Sequence, residues 1–155
     1  MLKLRNLPYR QGVGVMLFNE NRQIFVGKRI DNRSAWQMPQ GGIDKNENAI
    51  DAAKRELKEE TGITSVTIIK QSSKIHTYDL PDYLIGKIWK GEFKGQTQTW
   101  FLAQFIGKDD EIKLDQKNPE FKKWKWVDLK ELPNLIVPFK KKLYQELIEE
   151  FKSLI

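Results

Sequence analysis

Three glutamates, Glu56, Glu59 and Glu60, stand at i, i+3 and i+4. On a helix that spacing crowds three carboxylates onto one side. Like charges this close repel unless something positive lies among them. An oxygen-rich cluster of this type suits Mg²⁺ or Mn²⁺, hard ions that keep several waters and readily share a diphosphate. The chemistry that follows is hydrolysis of a phosphoanhydride. Bound metal neutralises phosphate oxygens and acidifies water, and a neighbouring carboxylate accepts the water's proton.

The elements that must position this cluster are readable nearby. Ile50, Ala53 and Leu57 recur at three and four with Ala49 and Ala52 beside them, which predicts a helix over Asn48 to Thr61. Gly62 follows, where a left-handed residue commonly ends a helix. Ahead of it, Gly41 and Gly42 permit a tight loop that lets backbone approach a ligand closely. Arg55 keeps its charge and can fork onto a carboxylate. Glu47, about two turns earlier, is the partner that would pin loop to helix.

Around this unit the chain predicts a mixed α/β domain. Strands are expected at Gly12 to Phe18 and Gln23 to Gly27 as a hairpin, then at Ser65 to Gln71, Thr99 to Ile106 and Trp124 to Val127. Asp31 to Ala35 reads as a loop, and Ser72 to Gly95 as loops and short strands. Pro138 to Phe151 is expected as an amphipathic helix, with Leu143, Leu147, Ile148 and Phe151 on its apolar face. Two helices and several strands suggest an α/β/α sandwich around a mixed sheet, in one domain over residues 1–155.

Composition narrows the function classes. The 155 residues carry 27 Lys and Arg against 21 Asp and Glu, a net charge of +6 that suits a polyanionic substrate. The absence of cysteine excludes disulfides, thiolate zinc and a cysteine nucleophile. No apolar run is long enough for a transmembrane helix and the N-terminus does not read as a signal peptide, so a soluble cytoplasmic enzyme is expected. His76, the one histidine, reads as a strand or loop residue rather than a catalyst.

The stretch Gly41, five residues, Glu47, seven residues, Arg55-Glu56-Leu57-Lys58-Glu59-Glu60-Thr61-Gly62-Ile63 resembles the Nudix box at every specified position. Segments outside it, among them Trp36-Gln37-Met38-Pro39-Gln40-Gly41-Gly42, Gly95-Gln96-x-Gln98-x-Trp100-Phe101, Pro119-Glu120-Phe121 and Val137-Pro138-Phe139-Lys140, are similar to bacterial RNA pyrophosphohydrolases and related diadenosine tetraphosphate hydrolases. The resemblance implies a Nudix-type sandwich and removal of pyrophosphate or phosphate from 5′-di- or triphosphorylated RNA. Its sister activity is cleavage of dinucleoside polyphosphates. It implies a catalytic set of Arg55, Glu56, Glu59 and Glu60, with Glu59 or Glu60 as base. Two or more Mg²⁺ or Mn²⁺ ions would be held by the three glutamates with Gly41 and Glu120. Arg10, Lys28, Arg29 and Lys140 would contact phosphates or a base edge. Val137 and Phe139 would border a base, and Gln96 and Gln98, on what reads as a strand edge, would touch phosphate or base.

Overall fold

The computed structural model describes residues 6–31 and 35–155; part of the expected Asp31 to Ala35 loop lies outside them. Eight strands form one sheet: β1 (Tyr9–Phe18), β2 (Ile24–Arg29), β3 (Trp36–Gln37), β4 (Gln40–Gly42), β5 (Val66–Gln71), β6 (His76–Asp79), β7 (Gly95–Phe105) and β8 (Phe121–Val127). Helix α1 spans Ala49–Thr61, α2 spans Leu132–Leu135 and α3 spans Lys141–Phe151. Three layers result, as the sequence leads one to expect.

Strand β1 organises the sheet. It runs parallel to β7 over its whole length, from Tyr9 opposite Gly95 to Phe18 opposite Gln104. Its other edge is shared: Gly12 to Gly14 pair antiparallel with β4, and Phe18 pairs with Ile24 of β2. The hairpin between β1 and β2 is therefore real but short. Asn19 closes it, its Oδ1 accepting from the amides of Asn21 and Gln23 at 3.0 and 2.9 Å.

Alternation along β1 feeds two cores. Val13, Val15 and Leu17 face α1, which contributes Ala52, Ala53 and Leu57. Met16 and Phe18 face α3, which contributes Leu143, Tyr144, Leu147 and Phe151. Each fully buried leucine here contributes about 2 kcal/mol of transfer free energy.

Both helices depart from the expected stripes. On α1, Ile50 is 37% exposed while Glu60, at the opposite end, is buried. The helix lies with its C-terminal turn pressed to the sheet. Asn48 is its N-cap, accepting from the Asp51 amide at 2.9 Å, and Gly62, at φ 76°, closes it by donating to the Lys58 carbonyl at 2.8 Å. On α3, Tyr144 is buried and Ile148 only half-buried. Pro138–Lys140 form a separate 3₁₀ turn before the α-helix begins, and α2 is a turn the sequence reading did not anticipate.

Candidate active site

Arg55 is the hub of the loop–helix junction. Its Nε and one terminal nitrogen each donate to Glu47 at 2.8 Å, a bidentate pair. The same nitrogen reaches the Gly42 carbonyl at 2.9 Å, while the other donates to Glu56 at 2.9 Å and Glu59 at 3.1 Å. One guanidinium thus ties the Gly41–Glu47 loop to two of the three clustered glutamates. The Arg55 hydrogen bonds hold the Glu47 carboxyl at about 2, well below its ordinary value.

The glycines matter for what is pressed against them. A Cβ on Gly41 would overlap the Glu56 carboxylate, and one on Gly42 would overlap the Arg10 guanidinium. Backbone and charged groups therefore meet directly at the turn, an approach that a residue without a side chain allows.

Glu60 is buried, and its Oε2 has no hydrogen-bond partner. Desolvation, then the charges of Glu56 and Glu120, push its carboxyl well above the usual range. Desolvation also raises Glu56, against the pull of Arg55. A buried carboxylate with an orphaned oxygen and two anionic neighbours is the environment a divalent cation would relieve. Among the described residues no group of three or more acidic or histidine side chains stands arranged to hold a metal ion. The oxygen donors at this wall are of the type that suits a hard divalent ion, which commonly keeps water or phosphate among its ligands.

These groups open onto a cavity of about 600 Å³. Gly41, Glu56, Glu59, Glu60 and Glu120 line it together with Arg10, Arg29, Lys140, Val137 and Phe139. Anionic and cationic groups thus share one space. Arg29 is steadied by Asp31, with Nε to Oδ1 at 3.0 Å, and by Gln37 at 3.0 Å. Lys140 is buried, its Nζ 5.0 Å from the ring centre of Tyr78 and 5.8 Å from that of Phe139. Burial raises the Tyr78 hydroxyl to about 12, so the ring stays neutral beside the lysine.

Three of the residues singled out in the sequence lie outside the cavity lining. Lys28 does not line the cavity; its Nζ lies 5.9 Å from the centre of the Trp36 ring. The pairing of β2 with β8 shifts register between Lys28 and Arg29, and of the two only Arg29 lines the cavity. Gln96 and Gln98 are not on an edge, because β7 is paired on one side by β1 and on the other by β6. Both are fully buried and outside the cavity lining. Gln98 donates to Gln96 at 2.7 Å and to Gln40 at 3.1 Å, Tyr78 donates to Gln96 at 3.1 Å, and the Trp100 indole donates to Gln98 at 2.8 Å. They brace Gln40 and Tyr78 from beneath.

Arg55 stands behind the lining rather than in it. His76 is a buried β6 residue whose Nδ1 lies 3.2 Å from Glu146, outside the cavity lining. The sequence reading missed Tyr78 and Trp89 as wall residues. Both fall in the polar stretch after β5, and only the Trp89 indole, isolated among lysines, offered a signal.

The pattern that defines the NUDIX domain matches residues 8–147. The chain belongs to the Nudix hydrolase family. An RNA pyrophosphohydrolase of Novosphingobium aromaticivorans is 54% identical over 154 residues, covering 96% of each chain. One of Rickettsia conorii is 52% identical over 151 residues, covering 97% of this chain and 94% of its own. In three dimensions this Nudix hydrolase is similar to a Caenorhabditis elegans Ap4A hydrolase, with a TM-score of 0.66, 20% identity and coverage of 92% and 98%. It is also similar to the Escherichia coli dihydroneopterin triphosphate pyrophosphohydrolase, with a TM-score of 0.68, 19% identity and coverage of 91% and 97%. These two likenesses speak to the fold alone. Among the described residues, no helix is long and apolar enough to cross a membrane.

Proposed function

We propose that this Nudix hydrolase acts as an RNA pyrophosphohydrolase, removing pyrophosphate or phosphate from the 5′ end of tri- or diphosphorylated RNA and leaving a 5′-monophosphate. The observation that carries this reading is the pairing of a carboxylate wall with Arg10, Arg29 and Lys140 in one cavity of about 600 Å³. Relatives at 54% and 52% identity bear the same activity in their names. The reading places the reaction in the cytoplasm and in a single domain.

Glu56, Glu59, Glu60 and Glu120, with Gly41 beside them, would hold Mg²⁺ or Mn²⁺. Such ions, two or more, supply charge neutralisation at the phosphates and acidification of water. The rest falls to the chain's own groups. Arg10, Arg29 and Lys140 grip the phosphates and offset charge that builds on the leaving group. Of the two candidates for base, Glu60 is buried whereas the Glu59 side chain is 59% exposed and open to water, and we assign Glu59 the water's proton. A water oxygen bonds to phosphorus, the anhydride bond breaks, and pyrophosphate or phosphate leaves. Val137 and Phe139 border the nucleotide, where an aromatic face can accept an unpaired base.

Product analysis tests this on an RNA carrying a labelled 5′-triphosphate, with Mg²⁺, and with diadenosine tetraphosphate in excess. Conversion to a monophosphate end despite the competitor is expected. Negligible RNA turnover beside rapid release of ATP from the dinucleotide would overturn the RNA assignment.

A further inference from the structure

The segment between β6 and β7 contains three consecutive residues with left-handed backbone: Trp89 at φ 50°, Lys90 at φ 58° and Gly91 at φ 72°. Tryptophan and lysine adopt that region rarely, and a run of this kind persists only where its surroundings hold it. Here they do. The Gly91 amide donates to the Ile88 carbonyl at 3.0 Å and the Glu92 amide to the Trp89 carbonyl at 3.2 Å. Leu80 donates to Lys94 at 2.8 Å, and Lys94 donates to Pro8 at 3.0 Å, fastening the segment's ends to each other and to the start of β1. Phe93 meets the Trp89 ring edge to face at 6.3 Å.

The kink turns the indole into the cavity wall. There the Arg10 guanidinium lies 5.3 Å from the centre of the ring. The same guanidinium abuts Gly42, so closely that a Cβ there would overlap it. Arg10 thus touches both the indole and the loop that leads into α1, with the Glu56 charge nearby. A long side chain at the mouth of a cavity otherwise samples many rotamers, and fixing it beforehand raises what it contributes to binding a phosphate.

We propose that Trp89 is a positioning residue for the anhydride hydrolysis: it holds Arg10 flat against the glycine loop so that the guanidinium meets the phosphates already aligned. This rests on the phosphate-gripping role given to Arg10 above. Trp89 itself acts through Arg10, by cation–π attraction and by occupying the space into which the arginine would swing.

A mutant cycle tests it. Trp89→Leu, Trp89→Phe, Arg10→Ala and the double variant Arg10→Ala/Trp89→Leu are each assayed on triphosphorylated RNA and on diadenosine tetraphosphate. Trp89→Leu should lower kcat/KM by about tenfold, Trp89→Phe should recover most of that loss, and Trp89→Leu should change the rate less than about twofold once Arg10 is alanine. Losses that multiply in the double variant, or a Trp89→Phe as impaired as Trp89→Leu, would overturn the proposal. A wild type that cleaves only the dinucleotide would displace the RNA reading and leave the cycle readable on that substrate, so the two failures are distinct.

Discussion

The Arg55 guanidinium and the Glu47 carboxylate face each other through two hydrogen bonds of 2.8 Å. Lysine keeps the charge but not the fork. Arg55→Lys should therefore fold, yet release the Gly41–Glu47 loop from α1 and cut turnover by about 10- to 100-fold. Steady-state kinetics beside a thermal melt would separate the two effects.

The same pair predicts a pH signature. Glu47 is held at about 2 in the folded protein against an ordinary value of 4.5. A depressed carboxyl contributes stability that is fully present above 4.5 and fades as the pH falls toward 2. The melting-temperature gap between wild type and Glu47→Gln should be widest near neutrality and should narrow across that acid window. A gap that stays constant from neutral to acid pH would contradict the assignment.

Glu60 is buried with an unpartnered oxygen and repelled by Glu56 and Glu120. Glu60→Gln should abolish turnover by orders of magnitude while raising the melting temperature of protein stripped of divalent ions. Adding Mg²⁺ should stabilise the wild type and do much less for the variant. Melts with and without chelator give the answer.

Gly41→Ala would drive a Cβ into the Glu56 carboxylate, the movable end of a flexible chain. The carboxylate can swing away, so stability should change little while turnover falls at least about 100-fold. Gly14→Ala makes the contrasting case. Its Cβ would strike the ring of Trp100, which is fully buried. With nowhere to move, the core should lose about 1–3 kcal/mol, measurable by denaturant titration.

Tyr144 accepts a hydrogen bond from the Met38 amide at 2.8 Å in the core. Tyr144→Phe strands a buried donor and should cost about 1–3 kcal/mol. Because Met38 leads into Gln40 and Gly41, a fall in kcat should accompany the loss.

Much of the carboxylate lining was readable from residues 41–63, because helix spacing, a cap and a charge pair all act within one local stretch. The limits came from partners distant in sequence. Periodicity marked Gly12 as the start of β1 and Thr99 as the start of β7, yet Tyr9–Gln11 pair with Gly95–Thr97 and extend both. Polar residues gave no hint of that. The polar stretch reads as loops and short strands, but nothing in it places β6 beside β7, so Gln96 and Gln98 read as edge residues. Trp89 escaped because a strained kink, which no apolar pattern announces, brings it to the wall. Glu60 belonged visibly to the glutamate cluster, but its burial depends on how the end of α1 seats against the sheet.

The cavity's lining is inherited from different parts of the chain. Its carboxylates come chiefly from one unbroken stretch, Gly41 to Glu60, whereas its cationic and aromatic groups come from Arg10, Arg29, Tyr78, Trp89, Phe139 and Lys140. Under the proposed function, the cutting edge and the grip are thus written in separate passages of sequence, so that a substitution in the grip would retune which polyphosphate is accepted while the cutting edge stays intact.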